Sequence, residues 1–291
     1  MKNRIDLHIH SDHSDGCFSP EKILATAKSR KLRAISITDH DNITGVRQAI
    51  QLAPAYGIEV IAGIELSVMH KGKDLHFLGY FIDTDHPDIL SYVSFLREER
   101  LKRAKKIIEK LVRLGVRICL EEVMRKAGAA SIGRVHIADI LVEKGYAGHV
   151  YQAFDRYIGD YAPAAVPKAK IAPEDAMRMI SNSGGLSFIA HPGVDIVPAD
   201  LSEMAKSGLN GIETIHPRHS SAQQKYYSIL ASGLVLLESG GSDCHGDRIG
   251  NAMIGRLNVP YSFVEAMKAY LEYDYPSLPH PIEEIYEPGR D

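Results

Sequence analysis

The sequence predicts an α/β protein: a parallel (β/α) barrel of seven strands that carries a small helical insertion. Three observations point there. Apolar strand-like runs alternate with helical patterns from residue 3 to about 92, and the alternation resumes at 167. Between them, over 93–166, the texture turns helical and rich in Lys and Arg. Almost every predicted strand also ends in His, Asp or Glu, and in β/α barrels chemistry gathers at the carboxyl ends of strands.

The first strand covers 3–10, where Ile5, Leu7 and Ile9 alternate with Asp6, His8 and His10. That period puts His8 and His10 on one face, about 7 Å apart along the strand. A polar loop with Asp15-Gly16 follows. Ser19 as N-cap, Pro20 at the first helical position and the apolar face of Ile23, Leu24 and Ala27 predict a helix over 20–30. Strand two is 34–38, ending in Asp39-His40-Asp41, and a helix over 44–55 stops near Gly57. Strand three, 58–68, carries Glu65; strand four, 75–82, carries His76, and no helix separates the two. Helices are expected over 91–113, 120–127 and 134–144. After them come a helix over 173–182, strand five (185–190) ending in His191, a helix over 199–207, and strand six (211–215) ending in His216. A helix over 223–232, strand seven (234–237) and the Gly240-Gly241-Ser242-Asp243-Cys244-His245 turn complete the barrel. The expected domains are a discontinuous barrel, 1–92 with 167–291, and an insertion, 93–166; residues 275–291, rich in Pro and Glu, read as a tail.

Composition narrows the function. The 291 residues are 45% hydrophobic and 24% charged with net charge −3, so bulk charge recruits neither nucleic acid nor membrane. Three scattered cysteines without a CxxC pair argue against a disulfide framework and a thiolate zinc site. No stretch matches a membrane span or a signal peptide, so a cytoplasmic protein is expected.

The 14 histidines crowd the ends of apolar runs. A single buried His is more often a hydrogen-bonded core or loop residue than a ligand, and His13, His70, His86, His149 and His219 are read as loop or surface histidines. A polar group at every strand end is a different matter. Nine candidates, His8, His10, Asp15, His40, Glu65, His76, His191, Asp243 and His245, exceed what one ion needs and suit two or three, with Glu65 as a bridge. Nitrogen-rich donors without thiolate fit zinc, manganese or iron rather than calcium or magnesium. Clustered divalent ions activate water and clamp phosphoryl oxygens.

Together these residues resemble the PHP (polymerase and histidinol phosphatase) family, in its stand-alone phosphoesterase branch: the tryptophan-operon-linked proteins similar to nucleoside 3′,5′-bisphosphate phosphatases and 5′-end RNA exonucleases. The carrying motifs are DLHIHSDHSDG at 6–16, ITDHDN at 37–42, GIELS at 63–67, HFLGY at 76–80, GRVHIA at 133–138, IAHPG at 189–193, ETIHPRHS at 213–220 and GSDCHG at 241–246. The resemblance implies a distorted seven-stranded TIM-like barrel, metal ligation by the same nine residues and phosphate-ester hydrolysis by a metal-bound hydroxide. Val135, Asn42 and Cys244 stand where the family often has Pro, Thr and an aromatic residue; none of the three removes a ligand.

For the phosphate, Arg134 and His136 in the insertion and Lys168 just beyond it are the binding candidates, since Arg grips phosphate in bidentate fashion. Asp15 and His216 are the catalytic candidates; His216, at the end of strand six, could protonate a leaving oxygen, bind phosphate or ligate metal. The expected activity is a metal-dependent phosphoesterase acting on a nucleoside 3′,5′-bisphosphate, a mononucleotide or a short oligonucleotide 5′ end, with two or three divalent ions (Mn, Zn or Fe) and no stable duplex binding. The alternatives are a histidinol-phosphate-type phosphomonoesterase, a metal-dependent amide or lactone hydrolase, and a non-catalytic module held together by metal.

Overall fold

Strand β1 (Arg4–Ile9) is buried on both faces. Its register against the next strand shifts between Asp6 and Ile9. Ile5 and Leu7 join the apolar cluster of Leu78, Tyr80 and Phe188, whereas Ile9 packs with Ile23, Leu24 and Ile37. His8 and His10, both fully buried, face Glu65. The bulge breaks the simple alternation and sets both imidazoles toward the centre. The computed structural model describes residues 3–128, 130–193, 196–247 and 252–273; the expected tail at 275–291 lies outside them.

Helix α1 (Pro20–Ser29) begins as expected, the Ser19 side chain accepting from Lys22 N. Strand β2 (Ala34–Ile37) pairs parallel with β1, helix α2 (Thr44–Tyr56) ends at the left-handed Gly57, and β3 (Glu59–His70) pairs parallel with β2. Strand β4 (Lys73–Tyr80) runs antiparallel to both neighbours, β3 and β5 (Leu186–Ile189). The two-residue turn Lys71-Gly72, both at positive φ, explains it: such a turn joins antiparallel strands, with no room for a crossover helix. Strands β6 (Gly211–Ile215) and β7 (Leu237–Gly240) return to parallel pairing. Strand seven starts three residues later than the sequence suggests, because Leu234 instead caps the helix before it (α9, below).

The sheet has eight strands, not seven. The eighth, β8 (Val259–Pro260), pairs antiparallel with β1, and the order is β7-β6-β5-β4-β3-β2-β1-β8. Closure comes from the loop after β7: His10 N donates to Cys244 O at 3.0 Å, and Ile9 bridges Cys244. Asp6 reinforces the seam, accepting from Ser242 N (2.8 Å) and Gly255 N (2.9 Å). Burial pushes its carboxyl up to about 6 against those two amides. Gly241 lies against the β1 backbone, where a Cβ would collide with His8.

Helix α3 (Pro87–Arg113) runs straight through the expected boundary at residue 93. Ile89, Tyr92 and Leu96 belong to the barrel's core, whereas Ala104, Ile107, Ile108 and Leu111 belong to a second apolar cluster. That cluster is completed by α4 (Leu120–Ala127), α5 (Arg134–Glu143), α6 (Val150–Ala153) and a π-helical turn, Phe154–Ile158. Helices α7 (Pro173–Asn182), α8 (Pro198–Lys206), α9 (Ser221–Gly233) and α10 (Ser262–Glu272) follow. Among the described residues no helix is long and apolar enough to cross a membrane.

Candidate metal centre

The nine strand-end candidates converge. The fully buried Glu65, on β3, is their hub. Its Oε2 lies 3.3 Å from His8 Nε2, 3.1 Å from His10 Nε2 and 3.1 Å from His40 Nδ1. Its Oε1 lies 2.8 Å from His76 Nδ1 and 3.3 Å from His191 Nε2. Asp243 Oδ1 is 3.4 Å from His8 and 3.2 Å from His10. Asp15 is 3.6 Å from His10, 3.8 Å from His40 and 3.3 Å from His245. His191 and Asp243 both hold positive φ, φ 27° and 48°; non-glycine residues tolerate that strain mainly at functional sites.

The donor set fits divalent metal. Overlapping groups, among them His10–Asp15–His40–His245, His8–His10–Asp243 and His40–Glu65–His76, place ligand atoms within 4.8 Å of one another. At the centre His10 Nδ1, His40 Nδ1 and Glu65 Oε2 are buried without a hydrogen bond, which is costly unless something binds them. Glu65, facing three imidazoles with one oxygen and two with the other, has the disposition of a bridging carboxylate. Burial opposes its charge, but His40, His76 and His8 hold its carboxyl well below the usual range. Burial pushes His40 well down, so it is a neutral donor; for His10 burial also opposes the charge, but the Asp243 and Glu65 carboxylates beside it prevail and push it up to about 10.

The sequence missed one member. Glu213, mid-strand on β6 and fully buried, accepts from His8 Nδ1 at 3.0 Å and from His191 N at 2.7 Å. It thereby assigns the tautomer of His8, leaving Nε2 free to face the centre. The available signal was a carboxylate in the middle of a buried strand.

Two candidates have partners within the protein. His216 is buried behind Asp243: its Nδ1 accepts from Arg218 N (3.2 Å) and its Nε2 lies 3.3 Å from Asp243 Oδ2, where it orients that carboxylate. His8, Glu213 and His216 also form one of the groups that could hold a metal ion. His136 is buried too, and its Nδ1 accepts from Gly133 N at 3.0 Å. With that nitrogen it caps the start of α5.

Arg134 and Lys168 do line the cleft above the centre, a cavity of about 440 Å³. Arg100 and Arg103 of α3 join them; their i,i+3 spacing puts both on one face. Arg134 is held by Asp160 (2.6 Å) and Ile158 O, Arg103 by Val166 O (2.8 Å). Burial, with Arg134 and Arg100 nearby, pulls Arg103 down to about 10. Asp41 anchors the cluster: it pairs with Arg100, lies 3.5 Å from Lys168, and accepts from Ser67 N, Ser67 Oγ and Tyr92 OH. The histidines set aside as ordinary have ordinary partners: His86 and His149 cap helices, His13 meets Gln48, His219 bonds Thr214 O, and His70 lies near Asp200.

Comparison with known proteins agrees with this geometry. The family model described as PHP domain matches residues 6–127. The 3′,5′-nucleoside bisphosphate phosphatase of Chromobacterium violaceum is 30% identical over 257 residues, covering 86% of this chain and 90% of the relative. The chain belongs to the PHP family. Other PHP relatives include the 5′-3′ exoribonuclease Rnm of Escherichia coli, 30% identical over 82% of this chain and 84% of that protein. A provisionally assigned metal-dependent phosphoesterase structure from Bifidobacterium adolescentis superposes with a TM-score of 0.85 at 26% identity, covering 91% of this chain and 95% of that one.

Proposed function

We propose that this PHP protein is a metal-dependent phosphoesterase that removes a phosphate from a nucleoside 3′,5′-bisphosphate or mononucleotide, or a nucleotide from a short oligonucleotide 5′ end. One observation carries the reading: a cluster of imidazoles and carboxylates opens into a cleft whose opposite wall is Arg100, Arg103, Arg134 and Lys168. Divalent ions bound at such a cluster supply an activated water and offset charge on phosphoryl oxygens. The protein's own groups do the rest. Glu65 and Asp243 hold the donors in register, Glu213 and His216 orient them, and the four cations bind and align the phosphate.

Arg218 lines the cleft as well, and five cations against the two carboxylates, Asp41 and Asp160, that pair with three of them are more than one phosphate requires, which favours a doubly phosphorylated substrate over a simple phosphomonoester such as histidinol phosphate. Amide or lactone hydrolysis would leave that wall without a purpose. A purely structural metal would be sealed in, whereas Asp15, His40, His76 and His245 face the cleft. The reading extends to the division of the chain: a barrel of 1–92 with 167–291, and 93–166 as a cap that carries Arg100, Arg103 and Arg134 over the centre. The metals proposed are two or three ions of manganese, zinc or iron.

The test is elemental analysis with a substrate panel: a nucleoside 3′,5′-bisphosphate, a mononucleotide, short 5′-phosphorylated RNA and histidinol phosphate. Turnover of the bisphosphate, lost together with bound metal in Asp243→Asn and His10→Ala, is expected. Full activity in either variant overturns the ligand assignment, and turnover of histidinol phosphate alone overturns the substrate class.

A further inference from the structure

Beside the cationic cleft lies a second recess of opposite chemistry. It has a volume of about 500 Å³ and a wall of Val135, Val150, Tyr151, Phe154 and Met253. The two chambers are contiguous: both are bordered by Asp15, Asp243 and His245, and Val135 and Phe154 line both. An apolar pocket opening on a charged reaction centre calls for a substrate with a charged end and a flat, uncharged end.

The aromatic side chains sit where the backbone departs from regularity. Phe154 begins the π-helical turn Phe154–Ile158, a form that recurs at functional sites. Arg134 ties that turn to α5 through Ile158 O and Asp160, and its guanidinium lies 5.4 Å from the Phe154 ring centroid. Phe154 thus borders both chambers, while Arg134, in the cationic cleft, holds the turn that carries it. Tyr151, 57% exposed, presents its ring to the recess, with the His149 ring 6.4 Å away edge-on.

We propose that this recess is a nucleobase subsite, in which a purine or pyrimidine ring stacks on Phe154 and Tyr151 while the sugar phosphates occupy the cationic cleft. The proposal rests on the nucleotide reading above and adds how nucleotides are chosen over plain sugar phosphates. Stacking is tolerant of base identity, since every base has a π-face. Discrimination should therefore fall between base and no base, and little among the four bases.

The experiment measures binding of adenosine 5′-monophosphate and of ribose 5-phosphate to the metal-loaded full chain by calorimetry. In parallel, KM and kcat are measured for a nucleoside 3′,5′-bisphosphate and for ribose 5-phosphate. The nucleotide should bind about tenfold or more tighter than the sugar phosphate, in line with the usual strength of one base stack. Phe154→Ala and Tyr151→Ala should shrink that ratio toward one by weakening the nucleotide, raising KM more than they lower kcat. Tyr151 is exposed enough that its truncation leaves the fold alone, so a poorly folded Phe154→Ala does not end the test. A wild-type ratio near one, or a ratio unmoved in Tyr151→Ala, overturns the subsite. The two readings fail separately. Hydrolysis of both compounds at equal KM sinks the recess and keeps the phosphoesterase. Tight nucleotide binding that falls in the variants, without hydrolysis of any ester, keeps the recess and sinks the phosphoesterase.

Discussion

Glu213 touches two proposed ligands at once, so its effect should appear in metal affinity before it appears in stability. Glu213→Gln keeps the shape but removes the charge that fixes His8 with Nδ1 protonated. Loss of such an outer carboxylate typically costs 10–100-fold in metal affinity; a chelator-competition titration reads it, and wild-type affinity would show that Glu213 only fills space. Lys168 makes a pH prediction. Burial, against the opposing pull of Asp41, lowers it to about 8. A depressed lysine is cationic below that value and neutral above it, while a phosphate monoester is already fully ionised there (second pKa about 6). KM should therefore rise as pH climbs through about 8, and Lys168→Arg, whose charge persists, should flatten the profile. The same rise in Lys168→Arg would move the effect to another group. At this scale most of the nine candidates were legible because they stand at or just past a strand end, where a (β/α) barrel collects chemistry; Glu65 and His76 lie within β3 and β4 and were legible beside the others. Glu213 was not, because a mid-strand carboxylate shows its purpose only once the strand is known to face a barrel interior. Arg100 and Arg103 were hidden in a basic helix whose other charges are solvated.

Helix α3 depends on a residue outside it. Asp41, in the loop after β2, bonds Ser67 on β3 and, on α3, Tyr92 and Arg100. Burial opposes its charge, but Lys168 and Arg100 hold its carboxyl well below the usual range. Asp41→Ala would strand a half-buried guanidinium, and removing one partner of a buried pair costs about 3–5 kcal/mol. Urea unfolding should show a loss of that order, with faster amide exchange in the first half of α3; a loss below about 1 kcal/mol would mean that the apolar contacts of Ile89, Tyr92 and Leu96 hold the helix unaided. Elements with strong local signals were readable from sequence: α1 with its Ser19-Pro20 start, α4, α5 and β1, whose register shift between Asp6 and Ile9 was not. Strand β4 was located but not its direction, though Lys71-Gly72 carries the turn chemistry that reverses it. Strand β8 is two residues long, and its pairing with β1 is set by tertiary closure. No local pattern encodes that.

The proposed ligands are spread over the whole barrel: His8 and His10 on β1, His40 beyond β2, Glu65 on β3, His76 on β4, His191 beyond β5, and Asp243 and His245 beyond β7. The ends of the chain's barrel path meet where Cys244 bridges Ile9, between those last ligands and the first. Binding of divalent metal should therefore act on global stability, because the unfolded chain scatters the donors and holds the ions far more weakly. At a free metal concentration of 100 times Kd the gain is about 2.7 kcal/mol per site, and for a chain of this size that is roughly 4–5 °C in Tm. Its pH dependence has a definite sign. Imidazole ligands must be unprotonated, so binding releases protons and the increment grows as pH rises toward about 10, the value to which His10 is pushed. Scanning calorimetry of chelator-treated protein with and without added Mn²⁺ or Zn²⁺ measures both quantities. Asp243→Asn should lose most of the increment, because that carboxylate lies at the seam, whereas Tyr151→Ala, in the recess, should keep it. An increment equal in wild type and Asp243→Asn would place the stabilising ion elsewhere on the molecule, and the barrel's closure would then rest on Asp6 and the β1–β8 pairing alone.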